Sequence, residues 1–197
     1  MSAVFFKPWV GEDYDAGTGW GKRVMIFGES HYQWEESIQP YPELTRAAIQ
    51  AQIDGEYTYA FWTRVASAFI GRKPRDGEKG KFWRDVAFYN YVQESVGFGP
   101  KVAPSPEMWT RSEPAFAEVL YELEPQVLIV LGYRLWNHLA DLDGAWGQPI
   151  IGASQTQTWR YRLPKGGTCL AYGIRHPSSG FTASKWQPHI LEVIRRA

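Results

Sequence analysis

KRVMIFG, residues 22–28, is the stretch that decides the fold. Two charged residues lead into four consecutive apolar ones, and glycine ends the run. An apolar stretch this short, stopped by glycine, fits a strand covered on both faces, as in a parallel sheet with helices above and below it. Ligands of open parallel sheets collect at the carboxyl ends of the strands, so the residues after Gly28 carry the functional interest. Three more segments read as inner strands: DVAFYNYV at 85–92, QVLIVL at 126–131 and TCLAYGI at 168–174. Asn90 is the anomaly among them, because an amide in an apolar strand needs hydrogen-bond partners.

Helical patterns separate these runs. Residues 42–53 place Leu44, Ala47, Ala48 and Ala51 at turn-like spacings. Residues 59–70 put Phe61, Val65, Ala68 and Phe69 on one side, and Gly71 stops that helix. Residues 72–81 read as a polar loop. A Pro-rich link at 100–106 precedes a helix around 113–123. Another helix starts near 134–139, and the last one aligns Trp186, Ile190 and Ile194, with Pro188 acceptable only near its start. Residues 1–20 read as an irregular arm that packs through Phe5, Phe6 and Trp9. The alternation of strands and helices predicts an α/β fold: a three-layer α/β/α sandwich with a short, mostly parallel central sheet.

With 197 residues and 44% hydrophobic content, the expectation is a single domain, 1–197, with a substantial core. Its 10 Trp, 11 Tyr and 10 Phe are plentiful: many are expected in the core and a few in a pocket for a flat ligand, a division that composition alone does not make. Lys+Arg 21 offsets Asp+Glu 21, so there is no general attraction to a polyanion, and a DNA partner would need a local basic patch. Cys169 stands alone, which excludes an internal disulfide and an iron–sulfur cluster. His31, His138, His176 and His189 have no metal-ligand spacing, so no metal and no cofactor are expected. No apolar run reaches membrane length and no leader pattern opens the chain, which predicts a cytoplasmic protein, read as a monomer.

Four motifs at the predicted strand ends occur in a meaningful order: Gly28-Glu29-Ser30-His31-Tyr32, Phe88-Tyr89-Asn90, the 127–131 strand with Gly132, and His176-Pro177-Ser178. Together they resemble the uracil-DNA glycosylase superfamily over roughly residues 22–194. The resemblance implies a water-activating loop at the first motif, base recognition by Asn90, and a hydrogen bond from His176 to the base carbonyl. The first motif departs from the common Gly-Gln-Asp-Pro-Tyr: Ser30 stands in place of Asp and His31 in place of Pro, while Tyr32 is kept. Glu29 matches the carboxylate position of the branches that carry Gly-Glu-Ala-Pro-Gly, whose cluster-binding cysteines are missing here.

The chemistry fits these residue types. Hydrolysis of an N-glycosidic bond needs a carboxylate near the sugar cation and a donor near the departing base. Glu29 and His176 are the candidate catalytic pair. Ser30, His31, Tyr32, Phe88, Asn90 and Ser178 are candidate substrate contacts, with Tyr32 or Phe88 as the stacking ring. Trp34, Tyr89 and Tyr91 lie nearby in sequence, and strand alternation keeps the rings from all facing one side, so core packing is expected for these. Arg72, Lys73, Arg75, Arg175 and Lys185 are candidate phosphate contacts, and Phe181 is a candidate wedge into a DNA groove. The expected activity is release of a uracil-like or damaged base from DNA. The alternatives are a catalytically inactive or differently acting nucleotide- or nucleic-acid-binding protein, or a hydrolase of small nucleosides.

Overall fold

The computed structural model describes residues 2–33, 39–56, 59–99, 102–152, 157–178 and 180–197. The chain enters through a short strand, β1 (Trp9–Val10), and lays down β2 (Val24–Gly28), β3 (His31–Gln33) and helices α1 (Leu44–Asp54), α2 (Ala60–Ile70) and α3 (Glu78–Arg84). Next come β4 (Val86–Asn90), β5 (Ser95–Phe98), the long α4 (Pro106–Leu123) and β6 (Val127–Leu131). It closes with α5 (Tyr133–Trp136), β7 (Ala145–Trp146), β8 (Thr158–Arg162), β9 (Thr168–Ile174) and α6 (Ala183–Arg196).

Seven strands form one mixed sheet in the order β1-β4-β2-β6-β9-β8-β7. The four apolar runs are its parallel centre: β4, β2, β6 and β9 pair in parallel, and every residue of β2, β4 and β6 is buried. Alternation along each strand divides the core into two layers. Val24, Ile26, Phe88, Ile129 and Tyr172 pack with Val65, Phe69, Trp186 and Ile190 of α2 and α6. Met25, Phe27, Tyr89, Leu128 and Val130 pack with Trp109, Phe116 and Leu120 of α4 and Leu135 of α5.

The edges depart from the sequence reading. The arm is not wholly irregular: Trp9 and Val10 pair antiparallel with Phe88 and Ala87, and the Trp9 indole donates to the Trp83 carbonyl at 2.7 Å. Gly11 permits the close approach, since a Cβ there would lie 2.1 Å from the Arg84 carbonyl oxygen. The polar segment 72–81 runs into α3, which buries Phe82 and Trp83, two rings just past the predicted loop. Helix α4 starts at Pro106 rather than near 113, with the Ser105 hydroxyl accepting from the Met108 amide and proline at the first turn, where its missing N–H costs nothing. Residues 100–101 of the Pro-rich link lie outside the described residues. The helix expected at 134–139 is the four-residue α5. Strands β8 and β7 extend the sheet antiparallel from β9.

Beyond Gly28 and Asn90, the chains leaving β2 and β4 stay together. The Tyr91 and Val92 amides donate to the Gly28 and Glu29 carbonyls at 3.0 and 2.9 Å. Strands β3 and β5 then pair in parallel as a separate two-stranded sheet. Among the described residues, no helix is long and apolar enough to cross a membrane.

Candidate functional site

The carboxyl ends of the parallel strands bring Gly28-Glu29, Asn90, Gly132 and His176 to one edge of the sheet. Gly28 is the register partner of Asn90, and a Cβ on Gly28 would lie 2.2 Å from Asn90 Oδ1 and 2.7 Å from Phe88 Cζ. The bare glycine is therefore what lets the Asn90 side chain lean across the end of β2. Asn90 is 5% exposed, and its carbonyl accepts from Gln93 Nε2 at 2.8 Å.

His176 follows β9 and lies against Gly132 at the end of the neighbouring β6. Its Cβ lies 3.4 Å from where a Cβ on Gly132 would sit, and Gly132 adopts φ +112°, a conformation that favours glycine. The imidazole stacks on Phe61 with ring centroids 5.4 Å apart and planes inclined by 23°. Burial pulls its pKa below the ordinary histidine value; nearby Glu29 pushes the other way, and Arg134 adds to the lowering. That mutual influence puts Glu29 and His176 in one electrostatic environment, with His176 favoured as the neutral ring.

Glu29 itself is committed. Arg134 Nε donates to Glu29 Oε2 at 2.7 Å, and Arg134 Nη2 bonds Glu29 Oε1, closing a bidentate ion pair in which the carboxylate is 12% exposed. Arg134 was not singled out by the sequence reading. The signal available was its position: the second residue after Gly132, at the end of a strand adjacent to β2. The neighbouring Ser30 hydroxyl is buried and has no hydrogen-bond partner among the described residues. A buried orphan hydroxyl is uncommon enough to call for an explanation.

Other predicted contacts are drawn elsewhere. The His31 ring turns into the protein, with Nε2 2.8 Å from Thr45 Oγ1 and its face 4.6 Å from Phe6, and burial pushes its pKa down to about 4. Phe88 is fully buried, edge-on to Trp62 and Trp83, so it is a core ring and offers no face for stacking. Tyr32 is partly buried and lines a shallow hollow of about 60 Å³ with Tyr41, Leu44 and Ser95. Ser178 is exposed, its amide 2.7 Å from the His176 carbonyl. Trp34 and Ser179 lie outside the described residues.

Arg72 is held by Glu78 through two 2.7 Å bonds, leaving Lys73 and Arg75 exposed beside it. Arg175 and Lys185 are exposed around the His176 turn. Phe181 lies parallel to Trp186, centroids 6.4 Å apart, and packs on the core below that turn. Among the described residues, no cluster of three His, Cys, Asp or Glu side chains could hold a metal ion. No protein-family model matches the chain, and no curated protein matches it.

Proposed function

We propose that this chain binds a nucleobase at the carboxyl edge of its sheet, between the Asn90 amide and the His176 imidazole, in a fold of the uracil-DNA glycosylase type. The observation that supports this reading is the side-by-side ending of β4, β2, β6 and β9, with the Asn90 amide crossing the end of β2 over the bare Gly28 and His176 following β9 in contact with Gly132. An amide offers a donor and an acceptor to a base edge. A neutral imidazole supplies one N–H donor for a base carbonyl. Ser30 adds a hydroxyl whose hydrogen-bonding capacity is unspent. The three-layer arrangement and the order of the four motifs support the family assignment.

Binding ranks ahead of hydrolysis because of Glu29. Both its oxygens already accept from Arg134, which leaves it poorly disposed to take a proton from water, and the guanidinium offsets the negative charge a sugar cation would need. Hydrolysis stands second, favoured by the electrostatic contact of Glu29 with a half-buried, neutral His176. In that reaction a water oxygen bonds to the sugar carbon as the carbon–nitrogen bond breaks, the bond's electron pair leaves on the base, steadied by the imidazole N–H, and the proton lost by the water passes through solvent to the base anion.

One experiment separates the two. Free uracil and hypoxanthine, and single- and double-stranded oligonucleotides containing them, are titrated calorimetrically against the folded chain, and base release is followed in parallel. The binding reading expects saturable binding of a base or of an oligonucleotide carrying it, weakened about tenfold by Asn90→Ala or His176→Gln, without turnover. Release of base that disappears in Glu29→Gln would put hydrolysis first. Absence of saturable binding to any of these ligands would remove both readings.

A further inference from the structure

A second hollow, separate from the sheet's central edge, lies over the antiparallel side of the sheet and has a volume of about 270 Å³. Trp136, Trp146, Trp159, Tyr161, Leu139 and Asp141 line it, and its two remaining lining side chains are amides. Among the described residues, no Lys, Arg or His contributes to the wall. Arg160 lies on β8 between Trp159 and Tyr161, so strand alternation turns it to the opposite face, where it donates to Thr168 Oγ1 at 2.8 Å.

The rings are held in place by the backbone. Trp159 Nε1 donates to the Asp141 carbonyl at 3.3 Å, and the Tyr161 hydroxyl donates to the Ala140 carbonyl at 3.0 Å. A Cβ on Gly144 would stand 2.2 Å from Trp159 Nε1, and one on Gly173 would stand 2.9 Å from the Trp136 ring, so both indoles occupy room that only glycine leaves. Trp146 meets Trp159 at 89°, with centroids 4.9 Å apart, which sets two aromatic walls at a right angle. The turn beside them passes through Leu142 and Asp143 with φ +43° and +53°, left-handed values unusual for side-chain-bearing residues. Trp146 remains 63% exposed, a large ring left in water at the mouth of the hollow.

We propose that this hollow binds an alkylated ammonium cation. Indole faces carry the negative lobe of the ring quadrupole and attract such cations when the rings surround them, with Tyr161, 1% exposed, backing the wall rather than facing the ligand. The Asp141 carboxylate has no ion pair among the described residues, so the wall's one charge is a negative one without a counterion. Methyl groups on the nitrogen suit these walls: they spread the charge and lie against aromatic carbon, so the rings hold the cation without a hydrogen bond from the carboxylate or the two amides. A neutral sugar would also stack on indole and donate its hydroxyls to the carboxylate, so it is the competing ligand that the test includes.

The test is titration of the full chain with choline chloride, against sodium chloride at equal ionic strength, read by calorimetry and tryptophan fluorescence. Its neutral isostere 3,3-dimethylbutanol and methyl glucoside are run alongside. The expected result is saturable binding of choline, at least about tenfold weaker for the isostere and for Trp146→Ala and weakened in Asp141→Asn, with the variants melting like the parent. The proposal is overturned if choline gives only the sodium chloride response. Equal binding of the isostere, preferential binding of methyl glucoside, or indifference to Trp146→Ala would also overturn it.

Discussion

At the centre of the sheet, Gly28 leaves room for the Asn90 amide; at the β7–β8 side, Gly144 and Gly173 leave room for two indoles. The same omission of a side chain serves two environments. In the centre the admitted group is polar and largely enclosed, folded against Phe88. At the edge the admitted groups are aromatic, one indole stands in water, and the lone charge is an unneutralised carboxylate. The difference teaches that a glycine admits whichever side chain faces it, and that the admitted group, amide or indole, sets the chemistry of that surface.

Acid should separate the two regions most strongly. Burial lowers the His31 pKa from 6.5 to about 4, so between those values the unfolded chain binds a proton that the folded chain refuses. The stability involved is fully present above about pH 6.5 and is lost as pH falls toward 4, amounting to about 3 kcal/mol. His176, also depressed by burial, acts in the same direction. The variant His31→Gln should flatten this acid limb in urea unfolding measured from pH 7 to 4. An unchanged limb would place the sensitivity elsewhere.

Alanine at the two kinds of glycine gives the next contrast. Gly28→Ala forces a methyl against Asn90 and Phe88 between buried strands and should cost about 2 kcal/mol, whereas Gly144→Ala, at an edge turn that can yield, should cost about 1 kcal/mol. Equal losses in denaturant midpoints would show that the edge is as rigid as the centre. The smallest effect belongs to Trp146→Ala, which should change stability by less than about 0.5 kcal/mol, because the ring is mostly in water. A larger loss would make that indole part of the core.

The parallel centre was legible because its strands are buried on both faces and so write themselves as unbroken apolar runs; the final one, Thr168–Ile174, matches to the residue. The edges were not, since TWRYR in β8 buries only Thr158 and Tyr161, and charged residues interrupt it. Two-residue strands such as β1 and β7 exist only through their neighbours. At the site, strand order made the common edge of Glu29, Asn90 and His176 readable. The Glu29–Arg134 pair was not, because it joins residues 105 positions apart through side-chain geometry alone. The aromatic hollow was hidden for the same reason, its rings being scattered from Trp136 to Tyr161 among other tryptophans.

The small β3–β5 sheet ties the segment after Gly28 to the segment after Asn90, with the Tyr91 and Val92 amides stitching the gap between it and the main sheet. Neither segment can swing out without breaking the shared ladder, so opening of this rim is a single concerted event. A guest seated on Asn90 would thereby slow hydrogen exchange at Val92 and along His31–Gln33 together, spreading the imprint of occupancy to residues that never meet it.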